Sequence, residues 1–186
     1  MRIITGQWRG RHFDIPRTFK ARPTTDFAKE NIFNVLTHYV DLDGAAALDL
    51  FSGTGSITLE LLSRGCRRVV SVELDREHHR FICECLRRLR GDGQKAGGLA
   101  DEACLTLRAD VFRFLKSCHE QYDLVFADPP YALRELPQIP DLILGRGLLR
   151  AGGLLVFEHG KNHDFQAHPH FVEHRQYGSV NFSLFR

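Results

Sequence analysis

Short apolar runs alternate with helical patterns along most of this chain, and that alternation restricts its fold more than any other feature. The runs are four to six residues long and end in polar or glycine residues, as buried strands do. Strands are predicted at Ala46–Phe51, Val69–Glu73, Leu105–Ala109, Leu124–Ala127 and Leu154–Glu158. Helices are predicted at Asp26–Tyr39, Ser56–Gly65, Arg76–Arg90, Val111–Cys118 and Pro140–Leu148, and a closing hairpin at Phe171–Gln176 and Val180–Phe185. This order predicts an α/β fold with a doubly wound, mostly parallel sheet that carries helices on both faces.

Charge is concentrated at the amino terminus. The whole chain has a net charge of only +2, but residues 1–30 carry seven basic and three acidic side chains. Because phosphate contacts release counterions, a basic segment on a near-neutral body favours a polyanionic partner. We therefore predict a basic arm over residues 1–25 and a folded domain over residues 26–186. A solvated, mobile terminus is the alternative.

The remaining composition excludes several classes of protein. No apolar run is long enough to cross a bilayer, and no apolar stretch follows the basic terminus as in a signal peptide. The five cysteines include no CxxC pair, and the histidines between His159 and His174 lack a matching set of cysteines or carboxylates. We expect a cytoplasmic monomer with reduced thiols, no metal site and no membrane partner.

A glycine-containing loop follows the first predicted strand, in the run Asp49-Leu50-Phe51-Ser52-Gly53-Thr54-Gly55. The two glycines let the backbone turn sharply and approach a ligand, and the N–H groups of the next helix point into the crevice. The spacing departs from the GxGxxG of dinucleotide-binding folds, and the loop lacks the lysine of a P-loop. A nucleotide-like cofactor site is predicted here, with a plain glycine turn as the alternative.

Acidic residues end the second and third predicted strands. Glu73 lies 18 positions after Gly55, close to the separation of about 20 residues at which nucleotide-binding folds place a ribose-binding carboxylate. Asp75 would take this role if the strand ran longer. Asp110 can accept from an adenine amino group, with Val111 packing nearby, or can simply cap the next helix.

The run Asp128-Pro129-Pro130-Tyr131, at the end of the strand Leu124–Ala127, carries the strongest functional signal. An exocyclic base amine is a poor nucleophile because its lone pair is delocalised into the ring. A carboxylate and a backbone carbonyl that both accept its N–H groups direct that lone pair toward an electrophile. Proline stiffens the stretch and donates no backbone hydrogen bond, while Tyr131 offers a flat surface to an extruded base. The run predicts transfer of a group to a base amine, against the alternative of a Pro-Pro turn with a capping Asp128.

Rival functions use parts of the same pattern. The same chemistry on adenine N6 or on a protein glutamine fits residues 128–131, although glutamine-modifying enzymes usually carry asparagine at the position of Asp128. A nicotinamide-dependent oxidoreductase explains Gly53, Gly55 and Glu73 but leaves residues 128–131 without a role. A non-catalytic RNA-binding assembly factor explains the basic segment but has no use for the cofactor loop.

Further short motifs narrow the choice. They are Arg2-Ile3-Ile4 with Gly6, Arg9-Gly10-Arg11 with Pro16, Arg22-Pro23-Thr24 with Asp26, Phe33-Asn34, Ser63-Arg64-Gly65, Val72-Glu73, Glu158 and Tyr177-Gly178. In these motifs, together with the glycine loop and residues 128–131, the chain resembles the bacterial 16S ribosomal RNA guanine-N2 methyltransferases of the RsmD family. The resemblance covers nearly the full length.

The resemblance implies a seven-stranded sheet with a reversed last strand, the cofactor S-adenosylmethionine, and a 16S ribosomal RNA substrate within a small-subunit particle. It implies a Rossmann-like class I methyltransferase domain over residues 26–186. The expected site residues fall into three groups. Cofactor binding is expected from Asp49, Phe51, Gly53, Gly55, Glu73, Asp110 and Val111; catalysis from Asp128, Pro129 and Tyr131; RNA binding from Arg9, Arg11, Arg22, Thr24, Pro130 and Tyr131. Phe27, where the family usually has arginine, and Ser52, where alanine is common, depart from the pattern.

Overall fold

The computed structural model describes residues 1–19, 24–91 and 98–186. Within these residues, seven strands form one sheet in the order β3-β2-β1-β4-β5-β7-β6. The strands are β1 Ala46–Leu50, β2 Arg68–Glu73, β3 Cys104–Arg108, β4 Tyr122–Ala127, β5 Leu149–His159, β6 Phe171–Tyr177 and β7 Val180–Phe185. The helices are α1 Asp26–Leu36, α2 Ser56–Ser63, α3 Arg76–Gly91, α4 Val111–Ser117 and α5 Ile139–Gly145, with short 3-10 turns at Asp101–Ala103 and Leu136–Gln138.

The sheet is parallel except at β7, so the predicted fold class is confirmed. Strands β1 to β5 pair in parallel, and β7 runs antiparallel to both β5 and β6. The strand order changes direction between β1 and β4, and this switch point opens a crevice at the carboxyl ends of the strands, where ligands bind in open α/β sheets.

Two apolar layers bury the sheet. On one face, α1, α2 and α3 contribute Ile32, Phe33, Leu59 and Ile82 to a core shared with Phe126 of β4. On the other face, α5 packs on β5 and α4 packs on β2. Their buried side chains, Val111, Leu115, Ile139 and Ile143, share a second core with Leu155 and Phe157. Each such side chain stabilises the fold by about 1.5–3 kcal/mol when fully buried. No helix in the described ranges is long and apolar enough to span a membrane.

Element ends differ from the sequence expectation in several places. Helix α1 begins after Thr25, whose Oγ1 accepts the Ala28 N–H at 3.2 Å, and ends at Leu36 instead of Tyr39. Helix α5 ends three residues early, at Gly145, and β5 begins at Leu149, five residues before the predicted start. The turns after α1 and α5 are exposed, but apolar residues just beyond them, Val40 and Leu148, are buried and continue the helical pattern of the sequence. The sequence also predicts a flexible connection over Gly91–Gly98, and residues 92–97 of it lie outside the described residues.

The first thirteen residues pack onto the body instead of extending into solvent. An isolated antiparallel bridge joins Arg2 to His12, and Ile3, Trp8 and Phe13 are buried in the core beside α2. The basic residues alone favour a solvated arm, whereas the apolar residues between them attach the segment to the core. Arg9 is exposed and Arg11 is half-buried on the resulting surface.

Candidate active site at the carboxyl ends of the strands

The loop after β1 has the backbone conformation that its glycines predict. Gly53 and Gly55 adopt φ of +53° and +76°, and Phe51 adopts φ of +60°. A left-handed non-glycine residue costs of the order of 1–3 kcal/mol, a strain found mostly at functional sites. Gly55 is the N-cap of α2 and provides no side-chain cap, so the first N–H groups of α2 have no capping side chain. The loop therefore presents backbone donors at the switch point.

Ser52 fixes the shape of this loop from below. Its hydroxyl donates to the Asp49 carbonyl at 2.8 Å and accepts the Ser71 hydroxyl at 2.8 Å. Alanine, which is common at this position in the family, could make neither bond. The serine therefore adds two hydrogen bonds under the cofactor loop and leaves the glycines unchanged.

Glu73 ties the loop to the end of β2. Its Oε2 accepts the Gly53 N–H and its Oε1 accepts the Asp75 N–H, both at 2.7 Å. Asp75 instead caps α3, where its Oδ1 accepts the N–H groups of Glu77 and His78 at 2.8 and 2.9 Å. Of the two acidic residues that the sequence offered for the ribose, Glu73 lies beside the glycine loop and Asp75 serves the helix.

Asp49 and Asp110 occupy different surroundings. Asp49 is buried beneath the loop, where it accepts the Thr58 hydroxyl, and burial raises its pKa to about 7. Asp110 is the N-cap of α4 and accepts the Arg113 N–H at 2.9 Å, which is the capping alternative noted from sequence. Val111 is buried next to it, and Phe112 meets the Phe51 ring edge-on at 6.4 Å. These two aromatic rings, which follow β1 and β3, therefore form part of the rim of the crevice.

Asp128 follows β4 at the centre of the sheet. Its N–H donates to the Leu50 carbonyl at 3.3 Å, which holds it against the end of β1. Since Ala127 pairs with Phe157 in parallel register, the next residues, Asp128 and Glu158, lie side by side on the same face. Burial, and then the negative charges of Glu158 and Asp49, raise the pKa of Asp128 well above its usual value.

Tyr131 and Glu158 form a direct pair beside Asp128. The Tyr131 hydroxyl donates to Glu158 Oε1 at 2.8 Å, while the tyrosine remains 46% exposed. Glu158 is 5% exposed, and burial raises its pKa, an effect partly offset by interactions with Tyr131, Asp128 and Thr24. Sequence reasoning gave Glu158 no chemical role. The signal that could have found it is its position at the end of the strand next to β4.

The predicted RNA-binding residues are distributed around this crevice and beyond it. Thr24 lies close enough to Glu158 to influence the pKa of that carboxyl. Phe19 packs on the His78 ring with centroids 4.5 Å apart, next to Glu73. Arg9 lies on the packed amino-terminal segment, and Arg22 falls outside the described residues. Among the described residues, no cluster of histidine, cysteine and acidic side chains could hold a metal ion.

Fold and strand-end residues together define a class of protein, the Rossmann-like methyltransferases. The protein family described as "Conserved hypothetical protein 95" matches residues 1–186. "Ribosomal RNA small subunit methyltransferase D" of Escherichia coli K12 is 31% identical over 158 residues, covering 85% of this chain and 74% of the relative. The protein of the same name from Haemophilus influenzae is 31% identical over 164 residues, with 87% and 80% covered. A solved structure of a hypothetical protein from Thermus thermophilus has a TM-score of 0.82 at 30% identity, with 100% of this chain and 99% of that chain covered.

The chain therefore belongs to the family of the ribosomal RNA small subunit methyltransferase D proteins. This confirms the resemblance drawn from the short motifs.

Proposed function

We propose that this protein transfers a methyl group from S-adenosylmethionine to the N2 amine of a specific guanine in 16S ribosomal RNA. The single observation that carries the proposal is the placement of residues 128–131 at the switch point, with the half-buried Asp128 beside an exposed tyrosine. Names of relatives in this family support ribosomal RNA of the small subunit as substrate. Cytoplasmic action by a single chain on a small-subunit particle is part of the proposal.

The residues of the crevice fit the proposed cofactor. Each Glu73 oxygen accepts one N–H group, at Gly53 and Asp75, and keeps a lone pair for a ribose hydroxyl. The left-handed loop over residues 51–55 leaves space for a ligand, since a Cβ on Gly53 would meet only the Phe51 carbonyl, at 3.8 Å. Val111 and the Phe51 ring would flank the adenine, with Asp110 beside its amino group. Asp49 would support the loop from below.

S-adenosylmethionine supplies the methyl group as an electrophilic sulfonium, so the protein chiefly supplies position. Asp128 and the Pro129 carbonyl would accept the two N–H groups of the amine and direct its lone pair, while Tyr131 stacks on the base. As the new N–C bond forms, the sulfur–methyl bond would break, the thioether product would leave with that electron pair, and one amine proton would be released. The Asp128 carboxylate can take that proton because burial raises its pKa.

RNA outside the target base would be held through phosphates. Arg9 and Arg11 lie on the amino-terminal segment, and Arg22 and Thr24 precede α1. Contacts of this kind fix register without reading sequence. Phe27 is exposed on α1 and meets the Tyr177 ring edge-on at 6.2 Å, which offers an aromatic surface where the family usually has arginine.

The Glu73→Ala variant is expected to bind S-adenosylhomocysteine more weakly by about 1–3 kcal/mol, because two ribose hydroxyls lose their acceptor. Asp75→Ala is the matched control. It removes a neighbouring carboxylate that caps α3 and should leave the affinity within about threefold, which is less than 1 kcal/mol. Titration calorimetry of both variants measures the difference. Equal losses in the two variants would mean that Glu73 makes no specific contact with the ribose.

Nucleoside mass spectrometry tests the function itself. Small-subunit particles from a bacterial strain that lacks this protein, treated with enzyme and S-adenosylmethionine, should gain one N2-methylguanosine per 16S ribosomal RNA. Naked duplex RNA and DNA should react more slowly, because extruding a stacked base costs a few kcal/mol. Formation of N6-methyladenosine, or equal activity on plain DNA, would contradict the substrate assignment while leaving the methyltransferase class intact.

A further inference from the structure

Glu158 is a buried carboxyl to which the proposed methyl transfer assigns no role. It is the second-to-last residue of β5, lies beside Asp128 and is 5% exposed. Its Oε1 accepts the Tyr131 hydroxyl at 2.8 Å, whereas its Oε2 has no hydrogen-bond partner within the described part of the chain. An unpaired carboxylate oxygen is costly to bury, so a donor supplied by a ligand would offset that cost.

The groups around the Glu158 carboxyl are those that would contact the base. Asp128 and the Pro129 carbonyl would accept the amine, and Tyr131 provides the stacking surface. Thr24, before α1, also interacts with Glu158. A base held by residues 128–131 would therefore have the ring atom next to its amine close to Glu158.

We propose that Glu158 is a specificity-determining residue that accepts the N1–H of the target guanine through Oε2. This inference rests on the proposed function and deepens it. Guanine presents N1–H and the N2 amine side by side, and two neighbouring carboxyls match this row of donors. Adenine presents an acceptor, N1, next to its N6 amine, and a carboxylate would repel it. The pair of Asp128 and Glu158 thus selects guanine over adenine without any contact to the rest of the RNA.

The test compares guanine with 2-aminopurine, which keeps the 2-amino group but has an acceptor at N1. After the methylated guanosine has been located with wild-type enzyme, splinted ligation places 2-aminopurine at that position, and the RNA is reconstituted into small-subunit particles. Single-turnover methylation rates are measured for wild type and Glu158→Gln. The control is Glu84→Gln, which neutralises an exposed carboxylate on α3 that pairs with Arg87 at 2.7 Å.

Wild type and Glu84→Gln should prefer guanine over 2-aminopurine by at least about 100-fold. A site that accepts a hydrogen bond from the guanine N1–H rejects an analogue that lacks this donor. In Glu158→Gln the amide oxygen can keep the Tyr131 hydroxyl, which places Nε2 where Oε2 was. That amide N–H opposes the guanine N1–H but can donate to N1 of 2-aminopurine. The preference for guanine over 2-aminopurine should therefore fall below about tenfold, because the variant loses one hydrogen bond to a charged group. Affinity for S-adenosylhomocysteine reports whether Glu158→Gln is folded.

Tyr131→Phe separates base selection from tyrosine positioning. It removes the hydroxyl and keeps the carboxylate, so slower turnover with an unchanged preference for guanine is expected. Equal slowing of both substrates in Glu158→Gln, or no preference in wild type, would overturn the assignment and reduce Glu158 to a support for Tyr131. If wild-type enzyme forms no N2-methylguanosine on unsubstituted particles, the proposed function itself fails, and this inference fails with it.

Discussion

The Asp128→Ala variant is expected to lose about 10²–10⁴-fold in methylation rate, the range associated with a positioned acid–base group. Its affinity for S-adenosylhomocysteine should stay within about threefold of wild type, or less than 1 kcal/mol, because the carboxyl faces the base amine and not the ribose. Single-turnover methylation of small-subunit particles and calorimetry measure the two quantities on the same preparation. A large loss of cofactor affinity would assign Asp128 to the cofactor instead.

The pH dependence of the wild-type rate gives an independent check on Asp128. Burial and the negative charge of Glu158 raise its pKa well above the usual value, so the carboxylate form is gained only as pH rises through that higher value. The rate should accordingly increase with pH, with an apparent pKa that belongs to the Asp128 and Glu158 pair. Asp128→Asn, which has no titratable group there, should lose this part of the profile. An unchanged rise in Asp128→Asn would place the titrating group elsewhere.

Local pattern in the sequence was sufficient to predict the sheet and the cofactor loop. Strand ends such as Ala127 and Glu73 could be located because apolar runs stop at the edge of a buried sheet, and the conformations of Gly53 and Gly55 follow from the absence of a side chain. Parallel alternation also fixed which strand ends would meet. These features depend on residues close together along the chain.

Features that depend on distant partners were not predictable in this way. The caps formed by Asp75 and Asp110 are local, but whether a strand-end acidic residue also contacts a cofactor depends on residues elsewhere in the chain. The pairing of Glu158 with Tyr131 joins positions 27 residues apart, and only the register between β4 and β5 brings them together. The burial of the amino-terminal segment depends on helix α2, more than fifty residues later.

Two buried charged residues, Lys29 and Glu60, attach the amino-terminal segment to the body of the protein. Lys29 is 1% exposed and Glu60 is fully buried, with Lys29 Nζ 3.7 Å from Glu60 Oε2. Lys29 also donates to the Arg2 carbonyl at 2.6 Å and to the Ser56 hydroxyl at 2.9 Å. Since Ser56 begins α2 directly after the cofactor loop, this lysine connects the amino-terminal segment to the base of the active site.

The Glu60 carboxylate binds backbone N–H groups of the same amino-terminal segment. Its Oε2 accepts the Ile4 N–H at 2.8 Å, and its Oε1 accepts the Thr5 N–H at 3.0 Å and the Arg64 Nε–H at 2.9 Å. The carboxylate is therefore fully used and cannot be replaced by an apolar side chain without orphaning backbone donors. Burial lowers the pKa of Lys29, and the charge of Glu60 opposes that shift.

Lys29→Met is expected to lower the free energy of unfolding by about 3–5 kcal/mol, the usual cost of removing one partner from a buried ion pair. Methionine fills the space but removes one of the two cations that pair with buried Glu60, Arg64 being the other, and leaves the Arg2 carbonyl and Ser56 hydroxyl without their donor. Urea unfolding measures the loss, with Lys116→Met on the exposed face of α4 as control, expected within about 0.5 kcal/mol of wild type.

Because the amino-terminal segment would loosen first, residues 1–13 should become sensitive to protease in Lys29→Met at urea concentrations where the sheet is still folded. Wild-type stability and protection in Lys29→Met would mean that apolar packing of Ile3, Trp8 and Phe13 alone holds the segment, and the buried pair would then contribute nothing to its attachment.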